Sequence, residues 1–482
     1  ATPRRARGAR AVAAPRLPVV RGPVATAPFG VAALRNDLGS MIGAASRSGS
    51  WSAMVVSLST GDTLLAVGAD QPQLPASTMK LLTATLALER LGANHRFRTE
   101  LLHTGTIRDG VLEGDLILRG DGDPSLSTRF VPGAPDAAMD TIAAAVVRRG
   151  IRRVAGRVLG DASAFEARTT PEGWLPRILE DSYAGKVSAL SVNEGLVWVT
   201  VRAVGGRAVV ALEPASDALP VSAAVRVTGG SGANVSVRRV GNTIVVRGAI
   251  GARAGLRSYG LVIPDPATFT TGAFVAALRR AGVQVGGSFA VAPTPLGAQQ
   301  IAAVESQPVE TLVTVMNRQS VNPIAEHLLR AAVRGPERAG VGTALGAEGM
   351  LRTLLARQAG VNPAAVQVRD GSGLSTLDRI SARAMVQLLA WADRASWRHL
   401  FHASLPLAGE SGTLKGRMRG TPAQANLHAK TGTTNDVVSL AGYVTARNGE
   451  LLAFALLYNG TDRWRAREAI DAVGVTLAGF AR

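Results

Sequence analysis

Leu74-Pro75-Ala76-Ser77-Thr78-Met79-Lys80 opens a run, Leu81-Leu82-Thr83-Ala84-Thr85-Leu86-Ala87-Leu88, that closes at Leu91-Gly92. Leu and Ala dominate it, and Gly92 supplies a C-terminal stop, so the stretch reads as a helix. Its faces are nearly all apolar or small, which places it in the middle of a domain. Ser77 falls in the first turn, where free backbone N–H groups and the helix dipole favour negative charge. Lys80, three residues on, shares its face. A buried lysine there has a depressed pKa and can take the serine proton. Alone, Ser-x-x-Lys is a weak signal.

Lysine usage makes it stronger. Lysine and arginine total 53, yet the only lysines are Lys80, Lys186, Lys415 and Lys430. Arginine serves wherever a generic positive charge will do, so each lysine invites a chemical reason. An ammonium can lose its proton near neutral pH and a guanidinium cannot. The ordinary reading of a single lysine, a solvated surface charge, is kept for Lys186 and Lys415.

Lys430-Thr431-Gly432-Thr433 is the second short motif. Behind it come the apolar runs Val437–Val444 and Leu451–Tyr458, joined through Asn448-Gly449. Two such runs around Asn-Gly predict a β-hairpin with a type I′ turn, so Lys-Thr-Gly lies at the start of a sheet. Gly432 lets the backbone approach a bound substrate closely. A helix is expected over Trp464–Leu477. An earlier hairpin is expected from Met54–Leu58 and Thr63–Val67 around Gly61-Asp62.

A Ser-x-Asn triplet occurs twice, at Ser191-Val192-Asn193 and at Ser320-Val321-Asn322. The first precedes a strand-like Leu196–Val201. The second follows Met316-Asn317-Arg318-Gln319 and precedes a helical Ile324–Arg330. Spacing alone does not choose between them.

Bulk properties narrow the classes. At 482 residues the chain exceeds one compact core, and 46% hydrophobic with 18% charged residues is a globular balance. No cysteine is present, which excludes disulfides, thiolate metal sites and a cysteine nucleophile. The histidines form no His-x-x-x-His pair, against a zinc hydrolase, and no metal or cofactor is expected. No run of 18 apolar residues offers a membrane span. The net charge is +18, and Arg4, Arg5, Arg7, Arg10, Arg16 and Arg21 crowd the first 30 residues without an acid. Composition predicts a basic, disordered segment over 1–30, with contact to an anionic envelope polymer or membrane surface as the sharper reading. No nucleic-acid module is recognisable. The chain does not begin with Met, and an exported protein without its leader is the expectation.

Taken in order, Ser-x-x-Lys, Ser-x-Asn and Lys-Thr-Gly are similar to the signature of penicillin-binding proteins and serine β-lactamases. Further segments extend the likeness: Met316–Pro323, Asp370-Gly371-Ser372-Gly373-Leu374-Ser375, Leu405-Pro406-Leu407-Ala408-Gly409 with Gly412-Thr413-Leu414, and Gly114-Asp115-Leu116 with Gly122-Asp123-Pro124. Over about residues 30–480 the chain resembles the low-molecular-mass class C penicillin-binding proteins, D-alanyl-D-alanine carboxypeptidase/endopeptidases. In that family the Ser-x-Asn motif follows a Met-Asn lead, so the resemblance selects Ser320 and Asn322 and leaves Ser191 a structural copy.

The resemblance implies an α/β fold: a penicillin-binding/β-lactamase-like α/β/α sandwich built from 31–96 and 301–482. The intervening 97–300, rich in short β-like runs and Gly-rich turns, is an inserted, mainly β region of two subdomains. It implies further that Ser77 is the nucleophile, Lys80 its base with a pKa lowered by Lys430, Ser320 a proton relay and Asn322 a positioning group. Lys430, Thr431 and Thr433 would bind a terminal carboxylate, with Gly432 at the close approach. The expected substrates are D-alanyl ends or cross-links of peptidoglycan stem peptides, met outside the cytoplasmic membrane, with β-lactams as inhibitors. One departure concerns side-chain specificity. Where relatives that grip diaminopimelate resemble one another in an acid before an aromatic and an arginine after the Asp-Gly-Ser-Gly-Leu-Ser run, this chain has Ile178 before Tyr183 and Thr376. Glu180, Asp181 and Arg379 are displaced neighbours. A β-lactamase and a wall-binding scaffold are the competing readings.

Overall fold

The computed structural model describes residues 23–44 and 48–482. Arg4 to Arg21, and with them most of the expected basic segment, lie outside the described residues. Its C-terminal end is ordered: Phe29 bridges Ala481, the Gly30 N–H donates to the Ala481 carbonyl, and the Thr26 N–H to Thr476 Oγ1. Backbone pairing of this kind holds a segment that composition alone assigns to disorder.

Chain ends meet in the central sheet. Its five antiparallel strands run in the order Thr63–Val67, Gly49–Ser57, Leu451–Gly460, Val437–Thr445 and His428–Thr433. The expected early hairpin is therefore present and pairs with the C-terminal strands. Both faces are covered, which is why the strands read as continuous apolar runs. Along Leu451–Gly460, Leu452, Phe454, Leu456 and Tyr458 join one core, with Leu34 and Leu38 of helix Val31–Ala44 and Ile470 of helix Arg463–Gly479. Ala453, Ala455 and Leu457 join the other core, with helices Lys80–Arg90, Asn322–Arg334 and Ala382–Ala392.

The later hairpin forms, but not with the expected turn. Of Asn448 and Gly449 only Gly449 takes a positive φ, +84°. The Ala446 N–H donates to Glu450 O and the Gly449 N–H to Ala446 O. A type I′ turn needs positive φ at both central residues; this is instead a three-residue loop with Gly in the left-handed position.

The stretch that carries Ser77 starts as a 3-10 turn, Ala76–Met79, and continues as the α-helix Lys80–Arg90. Every residue from Lys80 to Leu88 is buried. Gly92, φ +85°, follows the helix end as expected.

Between Phe97 and Ser306 the chain leaves this body. The first and last strands of the excursion, Arg98–His103 and Gln299–Glu305, pair antiparallel, and the Ser306 N–H returns to the Phe97 carbonyl. Four sheets lie in between, of five, four, three and three strands, with helices Ala137–Arg148 and Pro266–Arg280. One segment turns back onto the body around the central sheet: Trp174 Nε1 donates to Asp370 and Tyr183 O accepts from Asn322.

Candidate active site

Four contacts hold the turn that carries Ser77. Asn459 accepts the Leu74 N–H at 2.8 Å and donates to the Leu74 carbonyl at 3.1 Å. Ser439 Oγ and Thr78 Oγ1 both donate to the Pro75 carbonyl at 2.7 Å. Ala76, just before Ser77, sits at φ +46°. A non-glycine residue there carries backbone strain that its surroundings must hold in place.

Lys80 is fully buried, and its Nζ lies 3.0 Å from Ser77 Oγ, 2.6 Å from Asn322 Oδ1 and 2.7 Å from the Ser372 carbonyl. The amide oxygen and the carbonyl can only accept. A neutral amine that donates two N–H bonds to them keeps its lone pair for the Ser77 hydroxyl proton. Burial lowers Lys80 to about 7, against the raising pull of Asp370 and Glu326.

Lys430, equally buried, donates to Ser320 Oγ at 3.0 Å and to the Thr431 carbonyl at 2.8 Å. Burial, and then the Lys80 charge, lower it well below the usual lysine range. Like charge between the two buried amines acts on both alike, each disfavouring the other's ammonium, which is the sense expected of Lys430 on Lys80. Ser320 caps helix Val309–Gln319 in the left-handed region, φ +58°, which brings its hydroxyl to Lys430.

The fold itself also requires Gly432. A Cβ there would clash with Ser439 Oγ and lie 2.8 Å from the Pro75 carbonyl and 3.0 Å from Ser77 N. Most of the crowding comes from the turn that carries Ser77, so the glycine lets strand and turn meet. Thr431 Oγ1 donates to Thr413 Oγ1 at 2.7 Å. Ser77, Ser320, Asn322 and Thr433 line one cleft of about 330 Å³, with Lys80 and Lys430 buried beneath it.

Ser191 and Asn193 stay out of this site. They are buried in the turn before strand Leu196–Val204, where Asn193 Nδ2 donates to the Leu196 carbonyl. Lys186 is not the solvated charge expected; half-buried, it donates to the Pro264 carbonyl at 2.9 Å. Lys415 is exposed.

Several contributors were not singled out from sequence. Glu326 Oε1 accepts the N–H groups of Gly371 and Ser372, and Asp370 accepts those of Ser372, Gly373 and Ser375. Together they shape the loop whose Ser372 carbonyl faces Lys80. Glu326 also pairs with the buried Arg330 at 2.9 Å. A Glu and an Arg four apart inside an apolar helix was the available signal. At the far wall Ile178, Tyr183 and Thr376 line the cleft. The displaced charges are engaged elsewhere: Glu180 pairs with Arg239, Asp181 accepts the Tyr183 hydroxyl, and Arg379 donates to the Thr376 and Asp378 carbonyls.

The chain matches a family model, the D-Ala-D-Ala carboxypeptidase 3 (S13) family, over residues 34–479. It belongs to that family. The S13 chain is 35% identical over 478 residues to the D-alanyl-D-alanine carboxypeptidase of Actinomadura sp. (strain R39), covering 93% of this chain and 85% of the relative. It is 26% identical over 395 residues to the D-alanyl-D-alanine carboxypeptidase DacB of Haemophilus influenzae, with 80% of each covered. The crystal structure of penicillin binding protein 4 (dacB) from Haemophilus influenzae superposes with a TM-score of 0.74 at 22% identity, covering 88% of this chain and 96% of that one, a likeness of fold. The expected penicillin-binding-protein fold and carboxypeptidase family are thereby borne out, and the S13 chain is a serine-type hydrolase.

Proposed function

We propose that this S13 enzyme removes the terminal D-alanine from peptidoglycan stem peptides, and cleaves D-alanyl cross-links, through an acyl-enzyme on Ser77. What carries the reading is Lys80: fully buried, 3.0 Å from Ser77 Oγ, its other two partners able only to accept. Ser77 Oγ attacks the carbonyl between the D-alanines and its proton passes to Lys80. The oxyanion takes the backbone N–H groups of Ser77 and Thr433, donors of the kind that contribute about 3 kcal/mol each. As the C–N bond breaks, Ser320 relays the proton held by Lys80 to the leaving amine, and water then releases the acyl group, its proton returning to Ser77. Asn322 holds Lys80 and the substrate amide.

Lys430, Thr431 and Thr433 receive the substrate carboxylate. Its arrival favours the charged form of Lys430, against the burial that lowers it. In this reading the catalytic body consists of 31–96 and about 306–482; residues 301–305, expected in that body, pair instead with Arg98–His103 and belong to the insert. The enzyme works in the extracytoplasmic cell envelope; among the described residues no helix is long and apolar enough to cross a membrane.

Intact-mass measurement with penicillin checks the nucleophile. The parent and Ser191→Ala should gain one penicilloyl group and Ser77→Ala none; labelling retained in Ser77→Ala overturns the assignment. Digestion of defined monomeric and cross-linked muropeptides then reads D-alanine release and cross-link cleavage separately.

A further inference from the structure

From Ala218 to Pro264 the chain carries six arginines and no acidic residue. Within that span Val221–Thr228, Thr243–Gly251 and Ala233–Val240 form a three-stranded sheet with Thr243–Gly251 in the middle. One face is core: Ile244, Val246 and Ile250 are buried, with Val225, Val227, Val235 and Val237 packed against them. The register puts Arg226, Arg247 and Arg238 together on the other face. Ala224 and Ser236 stand opposite Arg247, Ala249 opposite Arg226, and Val245 opposite Arg238. All three arginines are exposed, and no ion pair holds them among the described residues.

The three cations descend diagonally, one per strand. With strands about 4.8 Å apart and two residues rising about 6.8 Å, successive positions are roughly 8 Å apart. Ser222, Ala224, Asn234 and Ser236 fill the space between them and are small or polar. Apart from Val245 and, at the edge, the exposed Val240, such a face lacks the aromatic and large aliphatic anchors of a protein interface. Its charge suits a hydrated linear polyanion instead. Its edge strand is also tied to the cleft: Arg239 pairs with Glu180, in the loop that supplies Ile178 and Tyr183 to the cleft wall.

We infer that this arginine face of the insert docks peptidoglycan itself, through the free carboxylates of stem peptides along a strand. The inference rests on the proposed function, because the polymer that bears the substrate is the polyanion the enzyme must meet. Docking through neighbouring stems raises the local concentration of D-alanyl ends at the cleft without touching the chemistry.

The test compares the full chain with Arg226→Gln/Arg238→Gln/Arg247→Gln, and with a control losing equal charge elsewhere, Arg394→Gln/Arg447→Gln/Arg467→Gln. Co-sedimentation with purified sacculi stripped of covalently attached phosphodiester polymers, at about 0.1 M salt, should be roughly tenfold weaker for the first variant and unchanged for the control. D-Alanine release from intact sacculi should fall with it through a raised KM. Turnover of a soluble D-Ala-D-Ala peptide and penicillin labelling should match the parent, which also shows that the variant is folded. Equal binding by the two variants overturns the inference. So does parent binding that vanishes once phosphodiester polymers are removed, or that goes to anionic vesicles and not to sacculi. Failure of the parent on the soluble peptide strikes the functional reading instead, which keeps the two separable.

Discussion

At the scale of residues the site turns on one amine kept neutral by burial. Lys80 must lose its proton to act, and it titrates at about 7. Acylation by penicillin should therefore fall about tenfold per pH unit below pH 7 and level off above it, as a stopped-flow pH profile would read. Glu326 is one of the two carboxylates that raise Lys80. Burial raises Glu326 itself to about 7, so its charge acts on Lys80 near and above that pH. Glu326→Gln removes it and should move the top of the acidic limb modestly to lower pH with the plateau retained. A limb that stays in place or moves upward would show that Glu326 only braces the Ser372 loop. Ser320 makes a related point, since its left-handed backbone is the feature that carries its hydroxyl to Lys430.

Among elements the decisive contact is between an edge strand and a turn. Strand His428–Thr433 ends the sheet, and only Gly432 lets it close on Pro75 and Ser77. Gly432→Ala must displace strand or turn, because two of the three atoms its methyl meets are backbone. A shift approaching 1 Å should slow penicillin acylation roughly 100-fold while the unfolding temperature changes little. Unchanged acylation kinetics would mean that the turn can move without harm to the nucleophile.

For the molecule as a whole the excursion between Phe97 and Ser306 reaches back to the cleft. Trp174 lies in it, far from the motifs in sequence, yet its indole N–H donates to the buried Asp370 at 2.7 Å. Asp370 orders the loop from Ser372 to Ser375 that lines the cleft and faces Lys80. Trp174→Phe keeps the packing and removes the donor, leaving part of a buried carboxylate unpartnered. Acylation should slow roughly tenfold, with a higher KM for peptide substrates, since the loop bounds their cleft. Kinetics identical to the parent would reduce Trp174 to a packing role.

Local chemistry made much of this legible in advance. The apolar, small-residue stretch after Lys80 could only be a buried helix, and the paired runs around Asn448-Gly449 only a hairpin. Scarcity of lysine pointed to Lys80 and Lys430, because an arginine cannot take their place as a base. These are properties of short segments, so sequence by itself determined them. Sequence could not supply contacts between segments hundreds of residues apart. The choice of turn at Gly449, the crowding at Gly432, the burial that shifts Lys80 and Lys430, and the hold of Trp174 and Glu326 on the Ser372 loop were decided only by the tertiary structure. Each depends on which groups are brought within a few ångströms of one another and out of water, and proximity and desolvation arise only when the chain is folded.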